Sequence, residues 1–144
     1  MDSAITGGDA MIRLDPGEEI HASLKAWAVE HGVKAAAITS GIGRIRDTSA
    51  GFLDGDGVYR AIDRVEPMEL LTLMGNLALH EGEPFTHLHI TGMTDDHEVV
   101  GGHLFSTVVH ITAEIHLRIL ESMPMIRCPL EGSEFIRLEF ESGE

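Results

Sequence analysis

Val108-Val109-His110-Ile111-Thr112-Ala113-Glu114-Ile115-His116-Leu117-Arg118-Ile119-Leu120 is the longest alternating run in the chain, and it decides the fold class. Successive side chains of an extended strand point to opposite faces, so Val109, Ile111, Ala113, Ile115 and Leu117 share one face and His110, Thr112, Glu114 and His116 the other. An apolar face backed by a polar one is the pattern of a sheet covered on one side. A long strand here is expected.

Outward from this run, the same period recurs. Residues 85–91 alternate, residues 99–104 are apolar but broken by Gly101-Gly102, and residues 135–141 alternate again. Residues 68–79 are dense in leucine, yet Gly75-Asn76 in their middle argues against a helix, so they read as a strand kinked or bulged at Gly75. Residues 35–40, 50–53 and 58–62 are strand-like runs separated by glycine-rich breaks. Gly41-Ile42-Gly43 lacks the third glycine and following helix of a dinucleotide fingerprint and reads as a bend. Asp54-Gly55-Asp56-Gly57 lacks the later acids of a calcium loop and reads as a hairpin turn.

One helix interrupts the strands. Asp15-Pro16-Gly17-Glu18 offers an N-cap, a proline at the first helical position and an acid three residues after the cap. Ile20, Leu24, Trp27 and Ala28 follow at helical spacing, and His31-Gly32 is a stop. Trp27 belongs to the core on this reading, and His21 and His31 to the surface or the caps. Residues 1–10 follow neither period and are expected to be a loose tail before a single domain over residues 11–141. The expectation is an α+β domain, an antiparallel-rich sheet with flanking helices.

With 144 residues, 43% hydrophobic and 24% charged, the chain has the size and composition of one globular domain. No apolar stretch approaches the roughly 20 residues of a membrane span, and the early Asp2 is unlike a secretion signal. A single cysteine, Cys128, forms no intrachain disulfide, which suits a cytoplasmic protein. The net charge of −14, with ten scattered Lys and Arg, sets the chain against nucleic acid, whose affinity comes from basic side chains displacing counterions.

The chemistry lies in the histidines. In Thr86-His87-Leu88-His89-Ile90 a strand places His87 and His89 on one face with Cα atoms roughly 6.5–7 Å apart. Gly101-Gly102-His103 adds a third imidazole after two residues whose missing side chains allow close backbone approach. Three neutral imidazoles suit zinc and leave its fourth position for water or substrate; manganese, iron, nickel and copper are also compatible. The alternative for His87 and His89 is a pair of half-buried strand residues hydrogen-bonded to their neighbours. Glu114 could orient a ligand imidazole, ligate, or serve as a catalytic general base, or it could be a solvated strand acid. His80 and His110 are reserves, and no nucleophile elbow, phosphate loop or His-Glu-x-x-His motif occurs.

Gly75-Asn76, Gly82-x-Pro84-Phe85-x-His87-x-His89, Gly101-Gly102-His103-Leu104 and Thr112-x-Glu114 together resemble the plants-and-prokaryotes conserved (PPC) domain, also called DUF296 or the PD1-like DNA-binding family. Leu14-x-Pro16-Gly17-Glu18-x-Ile20, Ser40-Gly41-Ile42-Gly43 and Glu69-Leu70-Leu71 resemble its earlier blocks in the same order, so the likeness spans about residues 11–141. The resemblance implies a homotrimer of compact sheets that holds a divalent metal with His87, His89 and His103, and it places Glu114 beside them. No AT-hook of the plant members occurs. The expected function is a metal-binding trimer open to a small molecule, with enzymatic status undecided; the alternative is a DNA-binding or protein-interaction module in which the metal is structural.

Overall fold

A computed structural model describes residues 1–140. In chain order it contains β1 (Asp2–Thr6), β2 (Asp9–Leu14), α1 (Ile20–His31), β3 (Ala36–Leu53), β4 (Tyr59–Arg64), β5 (Met68–His80), β6 (Glu83–Met93), β7 (Val99–Ile119), β8 (Met125–Pro129) and β9 (Ile136–Phe140). This is the expected α+β class, with one helix among the described residues where helices in the plural were expected.

The sheet runs β1-β2-β7-β3-β5-β8-β9, with β4 on β3 and β6 between β5 and β7. Pairing is antiparallel except for the short β5–β8 contact at Leu79 and Ile126. Because β3 borders β5 and β7, and β6 borders the same two strands, these four close into a hydrogen-bonded circuit. Straight strands of 18 and 21 residues would outrun a domain of this size at about 3.3 Å per residue. They bend instead at bulges, seen as register shifts between β3 and β7 at Ile38/Ser40, Gly43/Ile45, Arg46/Ser49 and Ser49/Ala50.

The bulges explain several differences from the sequence reading. The runs at residues 35–40 and 50–53 are parts of the one strand β3, and Gly41-Ile42-Gly43 lies inside it without breaking it. The runs at residues 99–104 and 108–120 likewise join as β7. Within β7, Val109, Ala113, Ile115 and Leu117 are buried as expected, but Ile111 is 57% exposed because β7 carries two extra residues opposite Gly43 and Ile45. In β5 the irregularity falls between Leu70 and Thr72; Gly75 keeps register with Leu88.

Residues 2–6 are not a loose tail but the edge strand β1, paired with β2 from Asp2↔Arg13 to Thr6↔Asp9. The short polar run hid its period. The helix begins at Ile20, later than Asp15 suggested, with Glu19 as N-cap accepting from Ala22 N at 2.6 Å. Glu18 does fold back to Asp15 N, so the capping pattern shapes a turn before the helix. Gly32 ends α1 in the left-handed conformation (φ 68°), as expected of the stop. Ile20, Leu24, Trp27 and Ala28 bury the helix face against β6 and β7. The turn at residues 54–57 closes the β3–β4 hairpin through Gly57 N to Asp54 O. Of the expected strand at residues 135–141, residues 136–140 form β9, and Glu141 lies outside the described residues.

Candidate metal centre

Strand β6 presents His87 opposite Asn76 of β5, and His89 opposite Met74 of β5 on one side and His103 of β7 on the other. Glycine makes the approach possible. A Cβ on Gly75 would run into the His87 carbonyl oxygen, and one on Gly102 into the Gly51 carbonyl oxygen, so neither strand could come as close with a side chain there. The expectation for Gly101-Gly102 is met.

The ring nitrogens of His87, His89 and His103 available to a metal all lie within 4.8 Å of one another. Two nitrogens about 2.0–2.1 Å from one ion can be no more than about 4.2 Å apart. His87 Nε2 and His89 Nε2, at 3.2 Å, are already at that spacing, and small ring rotations close the rest. His89 is exposed while His87 and His103 are half-buried, so the cluster sits in a crevice with one side open. Tyr59 stacks on the His103 ring at 4.6 Å and Phe105 leans on it at 4.9 Å, which fixes its orientation. Burial, the neighbouring imidazoles and Arg127 hold His87 and His103 down to a pKa of about 4, so both rings are neutral and able to donate at neutral pH.

His103 Nδ1 is buried and has no hydrogen-bond partner. Such an orphan costs about 1–3 kcal/mol, and none of the described residues satisfies it. A divalent ion therefore fits the donor set: three imidazoles at ligand spacing, two of them held neutral, with polar capacity that the described residues leave unused.

The second layer is unlike the one expected. Glu114 stands 11 residues along β7, opposite Arg13 of β2 and Ile42 of β3, and is not among the residues that converge with His103. It is exposed and lines a groove with Asp2 and Arg13. The structure does not bring it to the histidines. Behind His87 stands instead the buried Arg127 of β8, whose Nη2 donates to Asn76 Oδ1 and, at 3.3 Å, to His87 Nδ1. A guanidinium cannot accept, so His87 Nδ1 is the acceptor and Nε2 carries the proton that it offers to His89 Nε2. A neutral His87 ring that gives Nε2 to a metal carries its proton on Nδ1, so metal binding there loosens the Arg127–His87 contact.

The acid that lines the crevice with Tyr59, His87 and His103 is Glu134, whose Oε2 accepts from Tyr59 N at 2.8 Å. Arg127, Asn76, Tyr59 and Glu134 were not singled out from sequence. Only Asn76 carried a signal, within the Gly75-Asn76 pair; β8 is five residues long and shows almost no period. His80 turns to the Arg127 carbonyl at 2.9 Å and, like His110, stays outside the cluster. His21 is an internal staple, not a surface residue: its ring nitrogens meet Thr86 Oγ1 at 2.6 Å and Leu104 O at 3.1 Å. A cavity of about 590 Å³ lies beside the end of α1 and is lined by none of the three histidines. No helix among the described residues is long and apolar enough to cross a membrane.

A family model described as the Plants and Prokaryotes Conserved (PCC) domain matches residues 1–121. Among solved structures, a PPC protein from Pyrococcus horikoshii is 31% identical, with a TM-score of 0.84 over 98% of this chain and 99% of that one. A metal-containing protein from Archaeoglobus fulgidus is also 31% identical, with a TM-score of 0.84 over 92% of this chain and 94% of that one. A candidate DNA-binding protein from Bacteroides thetaiotaomicron, 24% identical with a TM-score of 0.88 over 98% of both chains, shares the fold. No curated protein matches the chain.

Proposed function

The chain belongs to the Plants and Prokaryotes Conserved domain family, and from that premise we propose that it binds one divalent transition metal, zinc by preference, at His87, His89 and His103, and presents the open side of that site to a small molecule or water. The observation that carries this reading is the convergence of three imidazole nitrogens within 4.8 Å across two strands. That the 31%-identical relative from Archaeoglobus fulgidus is a metal-containing protein supports it. When bound, such an ion supplies a Lewis acid with a vacant position. The chain's residues hold His87 and His103 neutral, clamp His103 between Tyr59 and Phe105, and wall the crevice with Phe52 and Phe135.

Self-association as a trimer is part of the same proposal. Ile42, Ile62, Met74 and Ile111 are each 54–59% exposed, apolar side chains that contact between subunits would cover. DNA binding is the weaker reading, because a net charge of −14 repels the phosphate backbone.

Elemental analysis of protein purified without chelator, combined with mass from light scattering, tests ion and assembly together. About one metal per chain in a particle of three chains is expected. Metal-free protein that also fails to take up added zinc sinks the site.

A further inference from the structure

The charge around the histidines is unbalanced. Arg127 is 4% exposed, donates through Nη1 to Ile136 O at 2.9 Å and through Nη2 to Asn76 and His87, and leaves its buried Nε without a partner. Its acceptors are a carbonyl, an amide oxygen and an imidazole; no carboxylate among the described residues pairs with it, although the chain has 24 acids. Burial pushes its pKa down, but a guanidinium remains protonated in proteins, so a full positive charge sits directly behind His87. The three imidazoles bring no negative charge to offset it. A divalent ion on those rings adds two more positive charges to the same spot, and Glu134, the acid that lines the crevice, brings one negative charge against them.

We propose that the site takes its metal together with a small organic carboxylate, whose charged oxygen occupies the open position opposite the buried Arg127 guanidinium and whose apolar body lies against Phe52, Tyr59 and Phe135. This rests on the metal reading above and names the class of ligand for that site. Arg127 is too deeply buried to touch the ligand and acts through His87 as a positioning residue: its charge disfavours the bare ion and favours the ion with its anion. The crevice in front of the rings, about 350 Å³ and lined by those aromatic residues, admits a small organic acid, and its apolar walls select it over a fully hydrated inorganic anion.

The test is calorimetric titration of zinc into the chelator-stripped full chain, alone and with benzoate, benzyl alcohol or inorganic phosphate as probes. Benzoate tightens zinc binding about tenfold, benzyl alcohol has no effect, and by reciprocity zinc tightens benzoate equally. In Arg127→Gln the bare ion binds at least as tightly as in the wild type while the benzoate effect disappears; Arg127→Lys, which keeps a cation, retains part of it. Should the Gln variant not fold, the wild-type and Lys titrations decide alone. Zinc binding that is indifferent to benzoate, or that responds only to phosphate, overturns the carboxylate assignment and leaves the metal site standing. No zinc uptake at all overturns both.

Discussion

His103 and His116 stand on the same strand, β7, and show how one sequence pattern serves two ends. His116 is tied down: its Nδ1 meets Thr39 Oγ1 at 2.5 Å and its Nε2 approaches an Asp9 oxygen at 3.4 Å, while Arg118 beside it pairs with the same Asp9. His103 is held only by stacking, and its buried Nδ1 has no partner. The first histidine spends its polar capacity on the fold; the second keeps it in reserve. A ligand-type nitrogen left without a partner beside two other imidazoles is free to serve an ion.

The comparison breaks most easily on metal content. His103→Ala should reduce bound metal from about one ion per chain to a trace with the circular dichroism spectrum intact, whereas His116→Ala should keep its metal and lose about 1 kcal/mol of stability to denaturant. Equal metal loss in both variants would erase the distinction between the two ends.

Gly102→Ala probes the approach of β7 to β3 that brings His103 into place. Its Cβ would meet the Gly51 carbonyl, so a loss of about 1–3 kcal/mol is expected in urea unfolding, together with weakened metal binding. Unchanged stability would mean that the strands have room to spare.

A smaller, graded effect concerns pH. In chelator-treated protein, burial lowers the pKa of His21, and burial with neighbouring charges lowers those of His87 and His103 to about 4, against an ordinary value near 6.5 in the unfolded chain. Between those values the unfolded state binds more protons, so stability is full above about pH 6.5 and falls as pH drops toward 4. Urea midpoints from pH 8 to 4 should follow that slope, and zinc loading should steepen it, because protons then also compete with the metal. A flat profile would show that the rings are charged or exposed in the fold.

Much of this architecture was legible in the chain. The alternation at residues 108–120, the face shared by His87 and His89, and the glycines before His103 all translate into the structure, because side-chain period and glycine clearance are local properties. Ile111 and the start of α1 were misjudged where a bulge or a turn displaced a regular pattern. Glu114 was expected beside the histidines from the family resemblance, whereas in the structure it is exposed opposite Arg13 and Ile42, as the solvated-acid alternative had it.

The amino-acid sequence by itself determined which residues could form strands, which face each side chain would take, and that three imidazoles of metal-binding type were available. Only the tertiary structure decided that Arg127, not Glu114, stands behind them, and that His103 is left without a partner while His116 is not. Period and propensity act over a few neighbouring residues, whereas the field at a site is the sum of charges delivered by strands far apart in the chain, whose pairing and bulges no local pattern encodes.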